Sequence, residues 1–151
     1  MAGIEREASG GGGMTARVAS LWRFGNAPAV SGLYRADDTA FAVTTNGAEL
    51  SWFRIGSPLD LDEVLADPAY TMSVDVAMRT EIEDGSLVCG EGELGADGFF
   101  ARLDGAGGLR WLVALQRSNP FERIIVSEGR FTVVNNLGNA LSLSLSDPRF
   151  S

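Results

Sequence analysis

The sequence contains no histidine and no lysine, and all twelve of its basic residues are arginine. Without histidine, the chain lacks the commonest general base and the side chain that titrates near neutral pH. Without lysine, it lacks both Schiff-base chemistry and a lysine general base. An enzyme built on this chain would have to use carboxylates, tyrosine, arginine or a hard metal ion.

Cysteine and long apolar runs are also scarce. Cys89 is the only cysteine, so the chain can form no intrachain disulfide and, without histidine, no standard tetrahedral zinc site. No apolar run approaches the roughly 20 residues that span a bilayer, and residues 1–13 lack the apolar core of a signal peptide. We therefore expect a cytoplasmic protein with no membrane partner.

The 151 residues are enough for one domain with its own core, and 45% of them are apolar. The stretch EASGGGG at 7–13 has the composition of a flexible linker, and Met14 follows it directly. We predict that residues 1–13 are a loose tail or an added linker, that Met14 is a candidate native start, and that residues 14–151 form a single domain.

Short alternating apolar stretches separated by turn signals predict an all-β fold of antiparallel sheets, sandwich-like or partly propeller-like. The one helix candidate is LDLDEVLA at 59–66, and Asn46-Gly47 predicts a tight hairpin turn. Tyr70, Met72, Val74, Val76 and Met78 alternate as one buried strand face. The predicted strands are 17–24, 40–45, 48–55, 70–78, 85–89, 98–103, 109–116, 121–126, 130–134 and 140–145.

Two segments form a weak internal repeat, FAVTTNGAELSWF at 41–53 and FTVVNNLGNALSLSL at 131–145. Between them, ARLDGAGGLRW at 101–111 resembles the tryptophan-docking blade motif of quinoprotein-type β-propellers. The resemblance implies blade-like, four-stranded sheets. Three such units are too few to close an ordinary propeller, and no residue here is suited to a quinone, so we predict no cofactor.

The stretch CGEGELG has glycines at 90, 92 and 95, the G-x-G-x-x-G spacing of dinucleotide-binding loops. Such a loop needs a helix directly after it, whereas an aromatic strand follows here. Glu91 and Glu93 would also repel a pyrophosphate. The sequence therefore favours a glycine-rich connection between two strands over a nucleotide site.

Negative charge is concentrated in the middle of the chain. The net charge is −8, and residues 60–98 hold eleven acidic residues against Arg79 alone. This charge disfavours nucleic acid as a partner and would steer a basic protein toward the chain. A solvated face that aids solubility explains the same charge equally well.

Carboxylate clusters also raise the question of metals and catalysis. Neither 60–63 nor 81–84 fits a calcium-loop motif, and among twenty acidic residues some close pairs are inevitable. We therefore predict no metal site, no catalytic residue and no enzymatic activity. The adjacent Phe99 and Phe100 point to opposite faces of their strand, so either both faces are covered or one ring is exposed.

The small size, the concentrated acidity and the stretch GEGELGADGFFARLDGAGGLRWLVALQRSNPF at 90–121 resemble small acidic cytoplasmic proteins that neutralise bacterial toxins, the immunity-protein type. The resemblance implies non-catalytic binding of a basic protein through the acidic segment, with Phe99 or Phe100 as the apolar anchor. The candidate binding acids are Glu81, Glu83, Asp84, Glu91, Glu93 and Asp97.

Two other functions stay open from the sequence. An assembly module of blade-like sheets would self-associate into a homo-oligomer through its exposed sheet edges. A carboxylate-based hydrolase would hold two acids with raised pKa values in one concave pocket.

Overall fold

The computed structural model describes residues 16–93 and 95–150, and it shows an all-β protein made of two antiparallel sheets. The predicted tail at 1–13 and Met14 lie outside the described residues. The strands are β1 Asn26–Pro28, β2 Gly32–Arg35, β3 Ala40–Thr45, β4 Phe53–Pro58, β5 Thr71–Ile82, β6 Gly85–Gly92, β7 Gly98–Asp104, β8 Leu109–Leu115, β9 Phe121–Ser127, β10 Arg130–Asn135 and β11 Ala140–Ser144. The helices are α1 Arg17–Arg23 and α2 Leu61–Ala66, with 3-10 turns at Gly47–Glu49, Pro68–Tyr70 and Pro148–Phe150.

The sheets form a sandwich with helices on its outer side. The larger sheet has eight strands in the order β1-β5-β6-β7-β8-β2-β3-β4, and the smaller has three in the order β11-β10-β9. Apolar residues on one face of the larger sheet contact the smaller sheet, and those on its other face contact α1 and α2. Within residues 16–93 and 95–150, no helix is long and apolar enough to cross a membrane.

Aromatic rings fill the space between the two sheets. The ring of Phe100 lies 6.1 Å from that of Trp111 on the larger sheet, and 5.6 Å and 5.9 Å from Phe121 and Phe131 on the smaller one. All four side chains are almost completely buried. Edge-to-face contacts at these distances add to the stabilisation from burial alone, so this cluster joins the sheets.

A second core lies under the two helices, one of which was predicted to be a strand. Residues 17–23 form α1, so the predicted first strand at 17–24 was wrong. The backbone N–H groups of Arg17 and Val18 each donate to the Asp38 carboxylate at 2.9 Å, which caps the helix from a distant turn. Trp22 then packs edge-on against Phe99, with ring centroids 5.7 Å apart. The helix predicted over 59–66 is confirmed as α2.

A bulge in β5 turns its apolar face from one core to the other. The pairing with β6 shifts between Val76 and Met78, so side-chain alternation changes by one residue there. Met72 and Val74 therefore contact the helix-side core, whereas Met78 contacts the core between the sheets. The single buried face predicted for 70–78 was wrong, since Tyr70 and Val76 are about half exposed.

The connection at Asn46-Gly47 is longer than predicted. A two-residue hairpin turn of the expected type needs positive φ at both central residues, but φ of Asn46 is −96° and that of Gly47 is +68°. The loop continues to residue 52, and β4 begins at Phe53. The side chains of Asn135 and Asn139 donate to the Ala48 carbonyl at 2.9 and 2.8 Å, so a turn of the smaller sheet holds this loop.

The three segments compared with propeller blades are all hairpins. The segments 41–53 and 101–111 give β3–β4 and β7–β8 in the larger sheet, and 131–145 gives β10–β11 in the smaller one. Two of the three thus belong to one continuous sheet rather than to separate blades. The arrangement is sandwich-like.

Candidate functional site

The six predicted binding acids divide into two groups at opposite ends of β6. Glu81, Glu83 and Asp84 lie at the β5–β6 turn, and Glu91, Glu93 and Asp97 lie at the β6–β7 turn. A strand of eight residues separates the turns by about 23 Å, at roughly 3.3 Å per residue. The fold therefore does not gather the six acids into one cluster.

The β6–β7 end carries the denser negative charge. Asp75 on β5 lies directly opposite Glu91 on β6, an arrangement in which like charges repel. Glu93 and Asp97 follow in the turn next to this pair. We call Asp75, Glu91, Glu93 and Asp97 the acidic rim. Among the described residues, the acidic partners in ion pairs are Asp62, Glu81 and Asp147, and so none belongs to the rim.

Hydrogen bonds hold two of the rim carboxylates in place. Glu93 Oε2 accepts hydrogen bonds from the backbone N–H of Ser73 at 3.1 Å and from its hydroxyl at 2.9 Å. These bonds, the backbone one first, lower the pKa of Glu93, so the carboxylate is ionised at neutral pH. Asp97 Oδ1 accepts from the backbone N–H of Arg117 at 2.8 Å. In each carboxylate, these hydrogen bonds use one of the two oxygens.

A hollow of about 170 Å³ lies beside the rim. Its lining includes Tyr70, Met72, Glu93, Asp97 and Gln116, together with Ala29 of the β1–β2 loop. The Tyr70 ring is 45% exposed. An aromatic ring beside two carboxylates attracts the ammonium or guanidinium group of a lysine or arginine side chain. The hollow therefore suits a cationic side chain of another protein.

Charges are mixed at the opposite end of the hairpin. Glu81 pairs with Arg79 at 3.1 Å, and both side chains are more than half exposed. Glu83 and Asp84 line an open cleft of about 280 Å³ with Arg102. Burial lowers the pKa of the Arg102 guanidinium, as does the nearby Arg110, while Asp84 opposes the shift. Because cations are interleaved here, this end is less suited to a basic partner.

The predicted aromatic anchors are not on the surface. Phe99 is fully buried under α1, and Phe100 is 1% exposed between the sheets. Because the two residues are adjacent, we expected either that both faces of their strand are covered or that one ring is exposed. The structure shows that both faces are covered. The expectation that one of these rings anchors a partner was therefore wrong, and Tyr70 is the exposed aromatic residue beside the rim.

The glycines of CGEGELG serve the hairpin. A Cβ on Gly90 would overlap the carbonyl oxygen of Asp75 at the bulge, and a Cβ on Gly92 would lie 2.6 Å from Met72 Sδ. Gly95 adopts φ +73° in the turn, a conformation that glycine accepts without strain. β7 follows the turn directly, so the loop lacks the helix N-terminus that a dinucleotide site requires.

The Cys89 thiol and the Asp60 carboxylate are potentially reactive groups outside the acidic rim, and both have structural roles. Burial raises the pKa of the Cys89 thiol to about 12, so this cysteine is protonated at neutral pH. Asp60 accepts a hydrogen bond from the Asp62 backbone at 3.0 Å and caps α2. No group of three histidine, cysteine or acidic side chains in residues 16–93 and 95–150 is arranged to hold a metal ion.

Sequence reasoning missed Asp75 and Tyr70 as members of this site. Both lie in the stretch interpreted as one buried strand face, and the bulge after Val76 has no clear signal in the strand itself. Gly90, whose missing Cβ accommodates the bulge, was the available clue.

Comparison with known proteins gives no relative. No protein-family model, no curated protein and no solved structure matches the chain.

Proposed function

We propose that this chain is a non-catalytic protein-binding module that engages a basic surface of its partner through the acidic rim. A basic toxin of the kind that immunity-type proteins neutralise fits this chemistry. The observation that carries the proposal is the grouping of Asp75, Glu91, Glu93 and Asp97 at one end of β6, beside a hollow that Glu93 and Asp97 line together with the exposed Tyr70.

The opposition of Asp75 and Glu91 supports a binding role for the rim. Like charges directly across an antiparallel pair reduce stability, so the free protein carries an unfavourable interaction at this position. A lysine or arginine placed between the two carboxylates would turn that repulsion into attraction. The binding free energy would then include the loss of the repulsion between the Asp75 and Glu91 carboxylates that is present in the free chain.

The chemistry of the rim also favours binding over catalysis. A carboxylate that acts as a general acid needs a raised pKa, whereas the pKa of Glu93 is lowered. An ionised carboxylate held by two hydrogen bonds is suited to constant attraction of a cation.

Charge variants of the two hairpin ends test the proposal. The rim variant is Asp75→Asn, Glu91→Gln, Glu93→Gln and Asp97→Asn, which keeps an acceptor oxygen at each position. The control variant is Glu83→Gln and Asp84→Asn at the opposite end, and it leaves Glu81 unchanged because this carboxylate pairs with Arg79. Each chain is used as bait in lysate of the source cells at low and at high salt, with circular dichroism to confirm folding.

We expect the wild-type chain and the control variant to retain the same basic protein at low salt, and the rim variant to retain at least about tenfold less. High salt should weaken retention because it screens exposed charges. Equal retention by the rim and control variants, or no retention by the wild-type chain, would overturn the proposal.

A further inference from the structure

The outer edge of β5 is only partly covered. β1 pairs with Thr71, Met72 and Ser73, and the Gly25 carbonyl accepts from the Val74 N–H at 3.0 Å. Among the described residues, no strand pairs with residues 75–82 on that side, because β5 has only β1 and β6 as neighbours. About two thirds of this long strand therefore has an open edge, which a further strand can extend.

The bulge confines the regular part of this edge to residues 78–82. The pairing with β6 shifts between Val76 and Met78 and is regular from Met78 to Ile82. Arg79 and Glu81 lie in this regular part, with side chains 53% and 75% exposed. Both point to the same face of the sheet, since they are two residues apart.

The sequence Met78-Arg79-Thr80-Glu81-Ile82 is complementary to itself. When two copies of the strand run antiparallel with Thr80 opposite Thr80, Arg79 of each copy lies opposite Glu81 of the other. Met78 then lies opposite Ile82, and opposed residues of antiparallel strands share a face of the sheet. In the single chain, Arg79 and Glu81 form an ion pair at 3.1 Å. In the paired strands, Arg79 of each copy would instead pair with Glu81 of the other copy, which gives two interchain ion pairs.

We propose that a second copy of this chain pairs with the outer edge of β5 in that register. The result is a symmetric dimer whose two eight-stranded sheets form one continuous sheet across a two-fold axis at Thr80. The paired residues 78–82 include no residue of the acidic rim, of which Asp75 lies three residues away on the same strand. The interface does not depend on the function proposed for the rim.

Two neighbouring registers are less favourable. A two-fold axis at Arg79 would place Asp75 opposite Glu83, which are like charges. An axis at Ala77 would oppose Asp75 and Arg79, but it crosses the bulge, where the edge is irregular. Edge strands often carry charges that keep a second strand away. Here the opposite charges of Arg79 and Glu81 attract a second copy when Thr80 lies opposite Thr80.

Charge exchange tests the interface in the full chain. Sedimentation equilibrium over a range of concentrations measures the dimer dissociation constant of the wild-type chain, Arg79→Glu, Glu81→Arg and the double variant, and circular dichroism checks that each is folded. Each single variant converts two attractive pairs into two repulsive ones, so we expect dimerisation about thirty-fold weaker. The double variant restores both attractive pairs and should dimerise like the wild type.

A mixture of the two single variants provides the sharpest result. Arg79→Glu places two glutamates on the edge and Glu81→Arg places two arginines, so an equimolar mixture should form a heterodimer while each alone is largely monomeric. A monomeric wild-type chain would overturn the proposal, as would single variants that dimerise normally. Weakening by Arg79→Glu without weakening by Glu81→Arg would overturn this register. The variant Glu91→Gln, Glu93→Gln and Asp97→Asn leaves the β5 edge unchanged and should dimerise like the wild type. A failure of the dimer proposal can therefore be told from a failure of the rim proposal.

Discussion

At the scale of single residues, the glycine at position 90 shows how one missing side chain shapes the site. The bulge brings the Asp75 carbonyl oxygen to the position that a Cβ on residue 90 would occupy. Just before the bulge, Asp75 lies opposite Glu91 and Val76 is about half exposed. Gly90 therefore supports the acidic rim without carrying any charge.

We predict that Gly90→Ala lowers the free energy of unfolding by about 1–3 kcal/mol, because the added methyl group forces the two strands apart. Gly105→Ala is the matched control, since a Cβ there meets nothing within 4 Å and φ of Gly105 is not positive. Urea unfolding followed by circular dichroism measures both. Equal stability of the two variants would show that the bulge can shift at no cost.

At the scale of elements, α1 shows how a distant side chain can decide local structure. The residue before the helix, Ala16, makes no side-chain cap, and the segment alternates well enough to be interpreted as a strand. Asp38, in the turn between β2 and β3, satisfies two of the first N–H groups of the helix. The helix therefore forms where the tertiary structure supplies its cap.

Replacement of Asp38 should weaken α1 in graded steps. Glycine keeps the positive φ of +72° at this position without strain but removes both acceptors. We expect Asp38→Gly to cost about 1 kcal/mol of stability and to increase amide exchange over residues 17–20. Asp38→Asn keeps one acceptor oxygen and should cost less. Hydrogen exchange measured by mass spectrometry would contradict this cap if both variants matched the wild type over α1.

At the scale of the whole molecule, the central strands β6, β7 and β8 of the larger sheet are buried on both faces. Phe99 contributes to the core under the helices and Phe100 to the core between the sheets. Because adjacent residues of one strand belong to different cores, the loss of one core exposes a strand that also builds the other. The two sheets should therefore unfold together.

We predict that Phe131→Ala destabilises the entire protein by about 3–5 kcal/mol, because it removes a buried ring that contacts Phe100, Trp111 and Phe150. Ile125→Ala on the outer face of the smaller sheet, where the side chain is 47% exposed, is the control and should cost far less. Tryptophan fluorescence and far-ultraviolet circular dichroism should give coincident unfolding curves for both variants. Separate transitions would mean that the smaller sheet unfolds independently.

The strand pattern was largely predictable because each strand carries its own signal. The strands predicted from residue 85 onward are confirmed within one to three residues at their ends, and 40–45 is confirmed as β3. The short strands β1 and β2 were missed, since three or four residues give too few alternations to detect. The segment 48–55 was predicted too early because contacts from Asn135 and Asn139 hold its first residues in a loop.

The candidate site was predictable only in part. Glu91, Glu93 and Asp97 were named from the density of charge, and the fold places them in one turn region beside Asp75. Glu81, Glu83 and Asp84 were named for the same reason, but β6 separates them from the others by its full length. Charge density along a chain does not determine which end of a hairpin each residue occupies.

The sequence alone determined the all-β class and excluded histidine chemistry, lysine chemistry and an intrachain disulfide, because these follow from local alternation and from residues that are absent or, for cysteine, present once. Only the tertiary structure decided that α1 is a helix, that β5 changes faces at a bulge, and that the acidic residues separate into a dense rim and a mixed-charge cleft. Each of these depends on a contact between residues far apart in the chain. Such contacts exist only after the strands have paired.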